Sequence, residues 1–353
     1  MPRTMLVSLL AVFFIGAGCG GEARETKERR DVISARAPRV YVSNERSNDV
    51  SVIDSRSNEV VATIPVGKRP RGLRVSADGT KLYVALSGSP IAGPFVRDED
   101  LPPADKKADG IGVVDLKSGK FVGKIVSGSD PEQFSFGPGE RFMYIANEDV
   151  GLASVVDVAA GKVVKALKVG YEPEGVTTSP DGRLVYVTSE SHNKVHVIST
   201  DTNELVAEFA TSARPRSSAF LPDGSKAYVT CENDGAVDVV DVAASRVTKR
   251  VKPPGTSVRP MGVVVSPDGR RAFVSTGRGK SVAVIDTASD EVVQVIPDVG
   301  ERVWGIDITP DGKTLYTANG PSNDVAVIDV ATLKVVKKVP AGQSPWGVAV
   351  GPG

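Results

Sequence analysis

An all-β fold, a seven-bladed β-propeller of four-stranded antiparallel blades, is predicted by two elements that recur in step and by the way the chain's ends divide one unit between them. The first element is Val-Ile-Asp or a near variant: Val52-Ile53-Asp54, Val113-Val114-Asp115, Val155-Val156-Asp157, Val197-Ile198-Ser199, Val239-Val240-Asp241, Val284-Ile285-Asp286 and Val327-Ile328-Asp329. The second, Ser-Pro-Asp-Gly in strict or relaxed form, recurs around Asp78, Gly139, Asp181, Asp223, Asp268 and Asp311, with a truncated Gly351-Pro352-Gly353 at the end. Both markers count seven units, each of roughly 42 residues. The repeating region opens on a second strand, Val40-Tyr41-Val42-Ser43, and finishes on a lone first strand, Trp346-Gly347-Val348-Ala349-Val350. Joined, the two fragments make one blade, so the N- and C-terminal strands are expected to close the ring.

The elements follow in chain order. Arg3, the apolar run Met5 to Ile15 and the small residues Gly16-Ala17-Gly18 read as an export signal over residues 1–18, too short for an ordinary membrane-spanning helix. Ile15 to Gly20 resembles a bacterial lipoprotein box, which implies lipidation of Cys19 and a membrane anchor; Gly16 stands where that pattern prefers Leu, and cleavage by ordinary signal peptidase is the alternative. Residues 19–38 are charged and weakly hydrophobic, the composition of a flexible tether. From residue 39 to 353 the propeller unit repeats. Each unit holds about four strand-length apolar runs bounded by Gly, Pro, Asp or Asn, and Pro-Asp-Gly is a hairpin signal because Pro sets the turn entry and Gly accepts positive φ. A lone blade leaves both faces bare, whereas radial stacking covers them. One insertion, residues 87–110, interrupts the second unit between its second and third strands; it carries Phe95 beside Asp98, Glu99 and Asp100 and reads as a lid, a partner contact or a solvated excursion.

Composition supports a packed β-rich body. Of 353 residues, 41% are hydrophobic and 24% charged, which is ordinary globular content, and Lys plus Arg balance Asp plus Glu at 43 each. A neutral balance supplies no global field for nucleic acid, which is therefore not an expected partner. With only Cys19 and Cys231, neither a disulfide framework nor a cysteine-rich metal site is expected. No Cys-x-x-Cys-His haem attachment and no phosphate-cradling Gly-x-x-x-x-Gly-Lys is present, so no cofactor is expected. The only histidines, His192 and His196, lack further ligands nearby in sequence, and no metal is assigned.

Tyr41-Val42-Ser43-Asn44, Tyr186-Val187-Thr188-Ser189, Tyr228-Val229-Thr230 and Tyr316-Thr317-Ala318-Asn319, together with the Pro-x-Gly and Pro-Asp-Gly elements, resemble the YVTN-type β-propeller family over essentially everything after the tether. That resemblance implies a scaffold with a binding mouth; relatives with the repeat include bacterial periplasmic propellers, archaeal surface-layer proteins and lactonase-like enzymes. Haem d1 domains are a more distant likeness.

Binding residues in a propeller gather where the loops from outermost to next innermost strand, and from second to third strand, crowd one end of the central channel. The first loop set here supplies Arg69, Arg71, Glu132, Glu174, Arg214, Arg216, Trp304 and Trp346 as candidate ligand-binding residues: guanidinium forks for anions and flat apolar surfaces for ring systems. The alternative is that the Arg and Glu side chains pair with one another and order the loops. Glu132, Glu174, Asn147 and Asn319 are the candidates for acid-base chemistry or cation ligation, without a motif that fixes the role. The Val-Ile-Asp aspartates recur in nearly every unit and are assigned to turns. The functional expectation is an exported, non-catalytic binding or scaffold protein of the periplasm or outer cell surface, anchored through Cys19, that recognises a small ligand or an envelope protein at the channel mouth; the rival is a lactone or ester hydrolase.

Overall fold

A computed structural model describes residues 38–91 and 100–351. The expected export signal, Cys19, the tether except Pro38, and Phe95, Asp98 and Glu99 of the insertion lie outside the described residues.

Twenty-eight strands form seven four-stranded antiparallel sheets, and the only helical turns among the described residues that run to three residues are the short 3-10 turns Pro138–Glu140 and Glu148–Val150. The innermost strands are β4 (Pro70–Val75), β8 (Pro131–Phe136), β12 (Pro173–Thr178), β16 (Pro215–Phe220), β20 (Val263–Val265), β24 (Val303–Ile308) and β28 (Pro345–Val350). Each packs on the next, and β24 packs on β28, so the ring is closed. We number the blades from the one completed by both termini. Blade 1 has the order β28-β1-β2-β3, where β1 is Arg39–Asn44, β2 is Asp49–Asp54 and β3 is Glu59–Pro65. Val40, Tyr41 and Val42 of β1 pair antiparallel with Val350, Ala349 and Val348 of β28, the closure expected from the sequence.

The burial pattern explains the sequence pattern. The second and third strands of a blade are covered on both faces by neighbouring blades, so Val-Tyr-Val-type and Val-x-Val-Ile runs are buried without alternation. Outermost strands, such as β3, are mostly exposed. The buried apolar residues fall into seven clusters, one per blade interface. At the seam between blades 7 and 1, Tyr316, Val325 and Val327 meet Val40, Val42 and Ile53.

Two polar devices repeat with the blades. A hydroxyl on the second strand accepts a bond from its own innermost strand and donates one to the innermost strand of the next blade. Ser43 Oγ accepts from Gly347 N–H at 2.9 Å and donates to the Arg71 carbonyl at 2.6 Å, and Thr230 Oγ1 likewise joins Ser217 to Met261. Thr188 and Ser275 do the same in blades 4 and 6, which gives the third letter of the Tyr-Val-Thr motif its physical role. The inner strands then lie so close that a Cβ on Gly175 would stand 2.4 Å from the Arg216 carbonyl oxygen, and one on Gly305 2.6 Å from that of Trp346. In the second device a tyrosine hydroxyl crosses to the outer turn of the next blade: Tyr228 to Asp290 at 2.6 Å, and Tyr316 to Asn58 at 2.7 Å across the seam. The Val-Ile-Asp aspartates accept from turn amides, as Asp54 does from Arg56 and Ser57, in keeping with their assignment to turns. Asp78, in the relaxed Ser-Ala-Asp-Gly form of the turn, has its pKa held down to about 2 by bonds from the Ser76 hydroxyl and from Thr80.

Candidate functional site

The loops that enter the innermost strands place one residue per blade at the upper end of the channel. In ring order these are Trp346, Arg71, Glu132, Glu174, Arg216, Met261 and Trp304, so four charged side chains occupy consecutive blades 2 to 5 and three apolar ones occupy blades 6, 7 and 1. Their neighbours Arg69 and Arg214 adopt positive φ, 45° and 60°, at the sharp entry to the strand.

The charged arc is built of two ion-pair networks. In the first, Arg71 contacts Glu132 directly, lies 3.1 Å from Glu148 and 3.6 Å from Glu45, and Arg69 Nε donates to Glu45 at 2.8 Å. In the second, Arg216 contacts Glu190 and lies 3.5 Å from Glu174, while Arg214 reaches Glu190 at 2.7 Å and Glu232 at 3.2 Å. Burial pushes the Glu174 carboxyl above its ordinary range, against the pull of Arg216, and does the same to Asp130 against Arg71. Asp130, Glu132 and Glu148 lie close enough together to ligate a cation, but Arg71 sits among them as their counter-ion. The partners Glu45, Glu148, Glu190 and Glu232 were not singled out in the sequence. Their signal is a Glu directly after the second strand in four of the seven units: Asn44-Glu45, Asn147-Glu148, Ser189-Glu190 and Cys231-Glu232.

The insertion covers the first network. Asp105 N–H donates to the Gly88 carbonyl at 2.9 Å, Lys68 pairs with Asp105 at 2.7 Å, and Lys106 pairs with Asp149 of blade 3. Ser87 Oγ donates to Asp130, and Arg69 donates to the Ser89 carbonyl at 3.4 Å. The described part of the insertion therefore lies at the upper end of the channel, joining β5 (Lys81–Leu86) to β6 (Gly110–Asp115) as the spacing predicted.

The apolar arc remains open to the channel. Trp304 and Trp346 meet edge to face with ring centroids 5.5 Å apart, and the Arg302 guanidinium stacks 4.6 Å from the Trp304 ring centre. Trp304 Nε1 is buried and has no acceptor among the described residues. A cavity of about 540 Å³ runs from these rings down to the Asp-Gly turns at Ala77 and Pro310. Of the eight candidate binding residues, Glu174, Arg216, Trp304 and Trp346 line it; Arg69, Arg71, Glu132 and Arg214 do not. Two further lining residues were missed in the sequence: Arg74 and Asp307, three positions below the upper ring. The same position holds Ser135, Thr177, Ala219, Val264 or Ala349 in the other blades, and that contrast is the signal that aligning the seven units would have given.

Asn147 and Asn319, considered with Glu132 and Glu174, turn into their own blades instead. Asn147 donates to Ser154 at 2.7 Å, and Asn319 to Asp324 at 2.6 Å and to the Val299 carbonyl. His192 accepts a bond from the Tyr171 amide in an exposed turn, while His196 is buried in β14 (Lys194–Ser199) beside Glu208, where burial lowers its pKa. Cys231 is buried, and burial raises its thiol pKa.

With this geometry in place, known proteins give two partial matches. Residues 229–351 match the YNCE-like beta-propeller family, and residues 107–220 match the cytochrome D1 heme domain family, each less than half of the chain. No curated protein matches. Among solved structures, the chain is similar to Kuenenia stuttgartiensis hydrazine synthase, with 24% identity over 80% of this chain and 90% of that one and a TM-score of 0.68. It is also similar to a functionally unknown protein from Desulfotomaculum acetoxidans (16% identity, 90% and 99% covered, TM-score 0.73). A third is a "putative 6-phosphogluconolactonase" from Bacteroides fragilis (17% identity, 90% and 98% covered, TM-score 0.72). At these identities the likeness is one of fold. The channel itself does not fit a haem: its lining includes no His, Cys or Tyr to serve as an axial ligand, and Met261 stands alone at the upper ring.

Proposed function

We propose that this propeller is a non-catalytic binding protein that takes a small ligand into the upper end of its channel, against Trp304 and Trp346. The observation that carries the reading is the open apolar arc: two indoles line a cavity of about 540 Å³, and a buried Trp304 N–H has no acceptor among the described residues. Aromatic faces give a large contact area at low conformational cost, and a buried lone donor gains a partner when a ligand supplies an acceptor. The charged arc supports a scaffold role. Arg71, Arg216 and Arg214 are committed to carboxylates, so the mouth is stiffened by its own ion pairs.

The chain's two tryptophans both lie at this mouth, so tryptophan fluorescence, excited selectively over the seven tyrosines, reports on the site. A metabolite screen should find ligands that shift emission and whose affinity falls with Trp346→Ala. Ligands that bind equally well to Trp346→Ala and Trp304→Ala would refute the mouth as the site.

A hydrolytic reading is favoured by one observation: Glu174 is a buried carboxyl, with its pKa pushed up, that borders the cavity. Turnover of a lactone panel, lost in Glu174→Gln, would replace the binding reading. Export and anchoring through Cys19 complete the proposal, resting on the apolar run and the small residues before the cysteine. Cys19→Ala should move the protein from the membrane to the soluble fraction; an unchanged distribution would remove the anchor.

A further inference from the structure

The lower channel holds charges that the networks above leave unused. Arg74 lines the cavity from β4, and its only side-chain hydrogen bond among the described residues is donated by Nη1 to the neighbouring Leu73 carbonyl, at 2.9 Å. It enters no ion pair among the described residues, whereas the other arginine that lines the cavity, Arg216, has carboxylates against it. A guanidinium carries five N–H donors in a planar fork, so most of this one's capacity is open. Burial lowers its pKa, and the one charge set against it is Asp307.

Asp307 lines the same cavity from β24. Its Oδ2 accepts from Val350 N–H and its Oδ1 from Ile308 N–H, both at 2.8 Å, which fixes the carboxyl in place and leaves each oxygen room for a second donor. Between the two charged residues, β28 contributes Ala349 to the wall. Above them, three residues up strands whose bulge makes three residues cover the length of two, about 7 Å at roughly 3.3 Å per residue, stand Trp304 on β24 and Trp346 on β28, with Met261 in the adjoining blade. One sector of the channel, blades 7, 1 and 2, thus offers a fixed acceptor, an open guanidinium and an aromatic ceiling.

We propose that this sector binds a free α-amino acid with an aromatic or large aliphatic side chain, its carboxylate on Arg74, its ammonium on Asp307 and its side chain toward Trp304 and Trp346. The three groups of such a molecule match the three groups of the wall in charge, donor sense and polarity, and a bidentate guanidinium–carboxylate pair fixes its orientation. The proposal rests on the reading that the channel takes a ligand, and it names the ligand's class.

The test uses the full propeller and isothermal titration with five probes: L-phenylalanine, L-leucine, L-alanine, 3-phenylpropanoate, which lacks the ammonium, and phenethylamine, which lacks the carboxylate. L-phenylalanine or L-leucine should bind, and both truncated analogues should bind about tenfold more weakly or worse, the loss expected for one charge-assisted bond. Arg74→Met should abolish the preference for L-phenylalanine over phenethylamine, and Asp307→Asn the preference over 3-phenylpropanoate. Arg74→Lys, which keeps the charge without the fork, should retain part of the affinity, and circular dichroism melts check that each variant is folded. Phenethylamine binding as tightly as L-phenylalanine, or Arg74→Met without effect, overturns the proposal. So does silence from both L-phenylalanine and L-leucine; if Trp304 and Trp346 fluorescence still answers to other metabolites, the channel-mouth reading survives it, and if nothing binds, both fall.

Discussion

Replacing Ser43 by Ala removes one oxygen from the point where three strands meet: β1, its partner β28 and the inner strand β4 of blade 2. That oxygen accepts from Gly347 N–H at 2.9 Å and donates to the Arg71 carbonyl at 2.6 Å, and it is fully buried. Two neutral hydrogen bonds at about 1 kcal/mol each predict a loss of about 2 kcal/mol, with a further contribution because the Gly347 N–H is left without a partner in a dry site. The loss has a ceiling, since blades 2, 3 and 7 carry Ala85, Ala146 and Ala318 at the same position and still pack. Urea unfolding should show a lower midpoint with an unchanged slope, because the surface exposed on unfolding is the same. Thr230→Val, the equivalent deletion inside the continuous blade 5, should cost a similar amount. Amide exchange separates the two: only Ser43→Ala should loosen β28, the strand that has no covalent link to its neighbour in the sheet. A loss below about 0.5 kcal/mol, or unchanged protection of β28, would refute the bridging role.

Three other outcomes follow from the same geometry. Tyr316→Phe should cost about 1 kcal/mol by deleting the bond to Asn58 across the seam, while Tyr186→Phe, which removes a buried hydroxyl with no partner, should be neutral or stabilising in the same urea assay. Gly175→Ala should destabilise by about 3 kcal/mol or more, since its Cβ would stand 2.4 Å from a backbone oxygen of the next blade, whereas a Cβ on Gly320 would meet nothing nearer than 3.7 Å; equal midpoints for the two alanine variants would contradict this. Burial raises the folded-state pKa of Glu174, so its stabilising contribution is full below the unfolded value of about 4.3 and is lost as pH rises through the raised value. Glu174→Gln stays neutral throughout and should flatten the stability profile over that window, with urea midpoints at a series of pH values as the readout.

The blade count, the shared closing blade and the position of the insertion were legible because they depend on repetition, and repetition survives in a single sequence. Tyr-Val-Thr could be recognised as a marker without its reason: the Thr188 hydroxyl works between two blades, and only the folded ring brings Gly175 and Arg216 to it. The mouth residues were found from loop position, but their partners were not. Arg71 sits 77 positions before Glu148, and no local pattern joins them. Nor does local pattern show that Arg71 and Glu132 are shut off from the cavity while Glu174 and Arg216 border it. Arg74 and Asp307 escaped notice because each looks like an ordinary exposed strand residue in its own unit and becomes unusual only beside the Ser, Thr, Ala and Val of the others.

A wheel of seven identical spokes would look the same to an incoming molecule from seven directions. Here the backbone keeps that symmetry and the side chains at the hub break it, with salt-bridged sectors on one side and indoles and a thioether on the other. The hub therefore has a compass bearing. On the proposed binding reading, an amphipathic molecule entering along the axis would find one azimuth that suits both of its halves, and a scaffold made by copying a single motif would still set which way a ligand faces.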